Sequence, residues 1–297
     1  MINLLAYIIW NVSPRIFSIG SLDINWYGLL FATAFVVGFL FLKKAFKNEL
    51  VPTTYLDSLA VYVFLGTFIG ARLGHCLFYE PAYYLSHPLE MILPVSITEN
   101  GWKFTGYRGL ASHGAAIGIQ IAIWLHSKKT KLPALWSLDR LVMVVALAGL
   151  FIRTGNLFNS EIYGNPTTLP WGFIFVKEGE YLPKHPTQIY EAIAYLFLFI
   201  LLWIIYRKGV CKNKNNDKAK TGVIFGIFLI VLFLTRFLIE FVKEPQEIWE
   251  KEMILNMGQI LSIPFILEGI VILWLSFSGK IKNRLDISKL QPQKHKK

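Results

Sequence analysis

The chain has 297 residues, of which 54% are hydrophobic and only 16% charged, against about 25% charged residues in an ordinary soluble domain. Its 30 Lys and Arg outnumber its 19 Asp and Glu, giving a net charge of +11. Long apolar runs with so few charges exclude a disordered chain and a single soluble globule, so the basic excess is first read as membrane orientation and only then as nucleic-acid binding.

In chain order, Met1–Trp10 is apolar, but the first basic residue is Arg15. A secretory signal carries positive charge ahead of its apolar run, so this segment is expected to lie at the outer interface. A crossing helix needs about 20 mostly apolar residues. Seven stretches follow that pattern: Trp26–Phe46, Leu56–Phe78, Leu110–His126, Leu138–Phe158, Ile189–Tyr206, Thr221–Val242 and Gly258–Phe277. The third is the shortest. The pattern predicts an all-α integral membrane protein, a seven-transmembrane helix bundle over 1–279 with a basic tail over 280–297.

Twenty of the 30 basic residues, but only five of the 19 acidic ones, fall in the connections 43–57, 126–140, 207–220 and 279–297. Their balance is +15 and that of the remainder is −4. The positive-inside rule puts the basic connections in the cytoplasm. An odd number of spans then leaves the N-terminus outside and the C-terminus in the cytoplasm. The net charge is accounted for with no nucleic acid. Cys76 and Cys211 fall on opposite sides of the bilayer, so they form neither a disulfide nor a metal site, and no metal is expected.

Charges within spans are costly and mark function or a specific partner. Arg72, Arg153 and Arg236 each stand 15 or 16 residues after the cytoplasmic start of their spans. That is about 22–24 Å into a core about 30 Å thick. One such Arg reads equally well as a side chain snorkelling to the interface. Three at one level, with other polar groups, point to an anion, because the guanidinium donates paired hydrogen bonds to phosphate. A phosphate at that depth belongs to a lipid headgroup. Arg236 and Glu240 are spaced to pair on one helix face.

The run Arg153-Thr-Gly-Asn156-Leu-Phe-Asn159-Ser-Glu161-Ile-Tyr-Gly164 breaks an apolar span with polar residues. Such backbone at membrane depth is tolerated only inside protein or around a cavity. A second polar block, His185-Pro-Thr-Gln188-Ile-Tyr190-Glu191, precedes the fifth span. Thr187 is expected to cap that helix, with Tyr190 and Glu191 in its first turn. His113 opens the third span. Gly66, Gly70 and Gly74, and Gly114 and Gly118, recur every four residues, as closely packed membrane helices require. The outer loop 80–109, with Trp102 and Tyr107, reads either as a lid or as an interfacial arm.

At these residues the sequence resembles the bacterial prolipoprotein diacylglyceryl transferase family. The likeness runs from about Trp26 to Pro264. It is most specific over Arg153–Gly164, and is supported by Trp26-Tyr27-Gly28, Gly70-Ala-Arg72-Leu-Gly74, Gly109-Leu-Ala-Ser-His113-Gly114, the block over 185–191, Arg236-Phe-Leu-Ile-Glu240-Phe and Met257-Gly258-Gln259-Ile-Leu-Ser262. The resemblance implies transfer of the diacylglyceryl group from phosphatidylglycerol to the lipobox cysteine of a preprolipoprotein signal peptide, without a cofactor. It implies a protein of the bacterial inner membrane, among membrane lipids, with its active site on the periplasmic side; a monomer is expected. By position it implies functional roles for His113, Arg153, Asn156, Glu161, Arg236, Glu240 and Tyr27. With the neighbouring polar residues, the expected site has His113, Arg153 and Arg236 as catalytic, and Tyr27, Arg72, Asn156, Asn159, Glu161, Gly164, His185, Gln188, Tyr190 and Glu240 as substrate-binding. Two positions depart from the family. Leu232 stands where some members carry Tyr, and Lys243 where Arg is common.

The residues allow a mechanism. The arginines stabilise charge developing on a phosphate leaving group, and a base makes the attacking thiolate. His113 is the first candidate for that base. Glu240 has the alternative role of orienting Arg236. The rival classes are a transporter and a lipid-binding scaffold without activity. Against a transporter, the charges gather at one level instead of lining a path.

Overall fold

The structure is a computed structural model that describes residues 7–20, 22–93, 95–98, 101–104, 109–209, 220–244, 250, 252–281, 285 and 290. Tyr107, Cys211 and most of the basic tail lie outside the described residues. In chain order the elements are β1 (Ile8–Trp10), β2 (Arg15–Ile19), β3 (Leu22–Asn25), α1 (Trp26–Asn48), α2 (Thr54–Phe78), α3 (Pro81–Ser86), α4 (Pro88–Ile92), β4 (Val95–Thr98), β5 (Gly101–Phe104), α5 (Ser112–Thr130), α6 (Ala134–Phe158), β6 (Phe173–Phe175), α7 (Thr187–Arg207), α8 (Val223–Ile239) and α9 (Met257–Phe277). They form two compact units, one from 1–45 with 139–282, the other from 46–138 with 283–297.

Among the described residues six helices, α1, α2, α6, α7, α8 and α9, are long and apolar enough to cross a membrane. The chain is therefore a multi-pass helical membrane protein. Large apolar side chains stand exposed on these helices, Phe35, Phe64 and Phe197 among them, as lipid-facing surfaces do. The sequence led us to expect seven such helices. The remaining long one, α5, has 19 residues, but Ser112, His113, Gln120, His126 and Ser127 dilute its apolar run.

Segments expected as outer loops also hold short strands. β1 pairs in parallel with β6, Ile8 opposite Phe173. β2 and β3 form one antiparallel pair and β4 and β5 another. The apolar N-terminal segment thus ends in a strand, and its residues 1–6 lie outside the described set. In the loop 80–109, Leu85, Ile92 and Trp102 are exposed. Arg72 is buried and fastens this loop, donating to the carbonyls of Glu90 (2.6 Å) and Met91 (3.2 Å) and lying 4.8 Å over the Tyr84 ring.

In the second unit the glycine spacing has the expected consequence. A Cβ placed on Gly70 would lie 2.8 Å from the Gly118 Cα, and one on Gly74 would lie 2.5 Å from the Gly114 Cα. α2 and α5 therefore meet backbone to backbone, an approach that only glycine permits. In the first unit, the buried Asp139 of α6 caps α8. Its carboxylate accepts from the amides of Gly222 (2.7 Å) and Phe225 (2.9 Å), placing negative charge at the positive end of a helix. Asn256 and Gln259 form a reciprocal capping box at the start of α9.

Gly70→Val drives two methyls into the α5 backbone, where no side chain gives way. Overpacking costs about 1–3 kcal/mol even where neighbours adjust. A lower unfolding temperature in detergent is expected, and an unchanged one contradicts the close approach.

Candidate functional site

The polar residues of the first unit gather where α6 ends, α7 begins and α8 ends. Arg153 lies near the end of α6, and its Nε ion-pairs with Glu191 of α7 at 2.5 Å. The other Glu191 oxygen lies 3.6 Å from Lys243 Nζ, which lies 3.6 Å from Glu240. Glu191, Glu240 and Lys243 are buried. Arg236 on α8 interacts electrostatically with Glu191. A charge withdrawn from water is tolerable only beside opposite charge and hydrogen-bond partners. This cluster supplies the opposite charge.

A second layer of bonds aims Arg153. Its Nη1 donates to Asn156 Oδ1 at 3.3 Å. Asn156 Nδ2 donates to Glu161 Oε1 at 2.8 Å, and Asn159 Nδ2 to the same oxygen at 3.1 Å. Both asparagines thus act through Glu161, which is exposed at the rim. Tyr27 of α1 packs on the same turn. A Cβ on Gly155 would lie 2.8 Å from the Tyr27 ring, and Tyr27 is electrostatically coupled to Glu161 and Arg153.

The loop after α6 is held by backbone and side-chain bonds. Gly164 donates to the His185 carbonyl at 2.8 Å, and Asn165 to the Val242 carbonyl at 2.9 Å. A Cβ on Gly164 would come within 2.8 Å of His185 and Thr187 atoms. Gln188 is fully buried and donates to the Glu161 carbonyl at 2.6 Å. Ile162 has φ +62°, a left-handed conformation that is strained for a β-branched residue. The strain is held by these flanking bonds.

One expectation is corrected here. Thr187 does not cap α7. The cap position is Pro186, and the Thr187 hydroxyl donates instead to the Ile162 carbonyl at 2.7 Å. The helix therefore starts at Thr187, which puts Glu191 beyond the first turn, where it meets Arg153 and not the helix N–H groups. His185 and Tyr190 pair at 3.1 Å, and Trp171 Nε1 donates to the Tyr190 hydroxyl at 2.9 Å. Burial pushes the His185 imidazole below its ordinary pKa, so it is neutral at physiological pH.

Of the residues singled out in the sequence, Tyr27, Arg153, Asn156, Asn159, Glu161, Gly164, His185, Gln188, Tyr190, Arg236 and Glu240 belong to this unit. Arg72 and His113 belong to the other unit, where His113 is buried at the start of α5. Two members of the cluster were not among the expected site residues. Glu191 resembled an acid at a helix start, and Lys243 a departure from the family. The signal for both was spacing. Lys243 follows Glu240 by three residues, and Glu191 closes the block that begins at His185.

Beside the cluster, α7 and α8 line a small, half-open cleft. Glu191, Tyr195, Thr235 and Arg236 form its polar part, and Leu198, Val231, Leu232 and Ile239 its apolar part. A site with cations at one end and hydrocarbon at the other matches the chemistry of an anionic lipid.

Nearly the whole chain is similar to known proteins. The family model for prolipoprotein diacylglyceryl transferase matches residues 14–275. Similar curated proteins are named phosphatidylglycerol–prolipoprotein diacylglyceryl transferase. The protein from Porphyromonas gingivalis is 44% identical over 94% of this chain and 98% of its own length. That from Bacteroides fragilis is 42% identical over 95% and 99%, and that from Tolumonas auensis 42% over 92% and 99%.

Glu191→Gln leaves Arg153 and Lys243 without their shared carboxylate. Removing one partner of a buried pair costs about 3–5 kcal/mol. A large fall in unfolding temperature is expected, and Lys243→Met in the same chain should recover part of it. Equal falls in the single and double variants would show that the two groups are not coupled.

Proposed function

The chain belongs to the prolipoprotein diacylglyceryl transferase family, and we propose that it transfers the sn-1,2-diacylglyceryl group of phosphatidylglycerol to the lipobox cysteine thiol of a preprolipoprotein signal peptide. The observation that carries this reading is the charge of the buried cluster. Arg153, Arg236 and Lys243 stand against Glu191 and Glu240, one positive charge in excess, at the head of an apolar cleft. A phosphodiester with its acyl chains complements both.

In the proposed reaction the cysteine sulfur attacks the glyceryl carbon that bears the phosphate. The C–S bond forms as the C–O bond breaks, and the bonding electrons leave with oxygen. The products are a thioether and glycerol phosphate. The phosphate changes from a monoanion to a dianion, and Arg153 and Arg236 are the groups that meet the added charge. The thiol proton goes to a base, for which His113 is the candidate. Glu240 and Glu191 hold the cations in place. Asn156, Asn159, Glu161, Gln188 and Gly164 fix the loop that aims Arg153, and Tyr27 packs beside it. His185 and Tyr190, paired with each other beside that loop, complete the proposed substrate-binding set.

We read the protein as a monomer of the bacterial inner membrane with seven spans, N-terminus periplasmic and C-terminus cytoplasmic. The backbone approach of α5 to α2, itself long and apolar enough to cross, supports α5 as the additional span. The basic connections support the orientation. The exposed apolar residues of loop 80–109 favour an interfacial arm over a lid. The charged groups stand at helix ends and do not run along the helices, which disfavours a transport path.

Incubating the purified protein with phosphatidylglycerol and a lipobox peptide should yield the thioether and glycerol phosphate. A peptide with Ser in place of Cys should not react. Absence of thioether from the Cys peptide would overturn the proposal. Arg153→Ala and Arg236→Ala should each lower the rate by at least about a hundredfold, as loss of a charge-stabilising donor does. His113→Asn should be most impaired at low pH, where little thiolate forms without a base. A deficit independent of pH would give His113 a positioning role.

A further inference from the structure

The cleft between α7 and α8 contains a polar group to which no part of the reaction has been assigned. Tyr195 lines it together with Glu191 and Arg236. Tyr195 follows Glu191 by four residues, so the two share one face of α7. Helical side chains lean toward the N-terminal end of their helix, which carries the Tyr195 hydroxyl back toward the charged cluster. It interacts electrostatically with Arg153, Glu191 and Arg236. The ring is seated in a notch in α6, where a Cβ on Gly149 would lie 2.7 Å from the Tyr195 Cγ. A tyrosine packed this closely has its hydroxyl direction fixed by the helices around it.

The other hydroxyl of the cleft is occupied, since Thr235 donates to the Val231 carbonyl at 2.7 Å. The facing residue on α8, Leu232, offers no polar atom. The Tyr195 hydroxyl takes no partner among the described residues. Tyr195 is half-buried and lines the cleft, so a group bound there can reach its hydroxyl.

We propose that Tyr195 is a substrate-contacting residue whose hydroxyl donates a hydrogen bond to the phosphate of the bound phospholipid, strengthening as the glyceryl C–O bond breaks. The inference rests on the transferase reading above. The phenol keeps its proton throughout, so the step adds no acid or base. It supplies a neutral donor beside the arginines, at the oxygen that receives the bonding electrons. Such a bond is stronger to the dianionic product than to the monoanionic lipid, so it acts on turnover more than on lipid binding.

The test is Tyr195→Phe, which keeps the ring in the Gly149 notch and removes only the hydroxyl. With phosphatidylglycerol and a lipobox peptide, kcat should fall about tenfold and KM for the lipid should change less than about twofold. Adding Leu232→Tyr should restore a hydroxyl to the same cleft from the opposite helix and recover part of kcat. A Tyr195→Phe enzyme with unchanged kcat overturns the proposal. So does a loss of kcat that tracks a lower unfolding temperature and is not recovered by Leu232→Tyr, since the residue would then serve packing alone. Wild-type protein that forms no thioether overturns the transferase reading and this inference with it. A wild type that is active beside an equally active Tyr195→Phe overturns only the role of the hydroxyl.

Discussion

The first unit depends on one buried carboxylate. Glu191 is shared between Arg153 and Lys243, and through Lys243 it is linked to Glu240. These groups come from the end of α6, the beginning of α7 and the segment after α8. Each would be expensive to bury alone, because at low dielectric a charge loses its hydration and gains little from distant partners. Together they fix the mutual register of three helix ends more tightly than apolar contacts do. Leu and Phe slide past one another with little change in energy, whereas an ion pair displaced by a few ångströms leaves two unpaired charges.

Once those ends are fixed, the loop between α6 and α7 has little freedom. Gly164 is pressed against the His185 and Val242 backbones, and Gln188 and Thr187 hold the Glu161 and Ile162 carbonyls. The left-handed Ile162 is the local cost of a loop that must turn sharply while presenting Glu161 to Asn156 and Asn159. The asparagines are therefore not independent ligands. They form a relay that carries the position of the loop to the guanidinium of Arg153, which a reaction dependent on charge placement requires.

Much of this was legible in the sequence. The crossing helices announced themselves by apolar length, and the 153–164 segment by the cost of putting Arg, Asn and Glu where hydrocarbon should be. The glycine repeats told correctly that two helices touch along their backbones. What was hidden was whatever depends on distant partners. β1 pairs with β6 across more than half the chain, and strands of three residues have too few side chains to show a period. Asp139 caps a helix far away in sequence, so no local capping pattern reveals it. Glu191 was hidden by a plausible local reading as a helix-start acid, and Tyr195 by resembling ordinary aromatic filling in an apolar run. α5 was the marginal span because its glycine face and buried histidines displace the apolar residues that a hydropathy reading counts.

The departure at Lys243 shows which property the site needs. An Arg there would offer a planar fork, but Lys243 touches two carboxylates at 3.6 Å, distances at which charge matters and bidentate geometry does not. Its role is to balance Glu191 and Glu240 so that Arg153 and Arg236 are held without being fully neutralised. If the carboxylates cancelled every cation, the phosphate would gain nothing by entering. If there were no carboxylates, three cations would repel one another and the helix ends would separate. Two acids against three bases is a composition that holds the helix ends together and, under the proposed reading, leaves one positive charge for a monoanion. In the proposed reaction the same excess would favour the product-like state, because the second negative charge would arrive beside arginines that the carboxylates already orient.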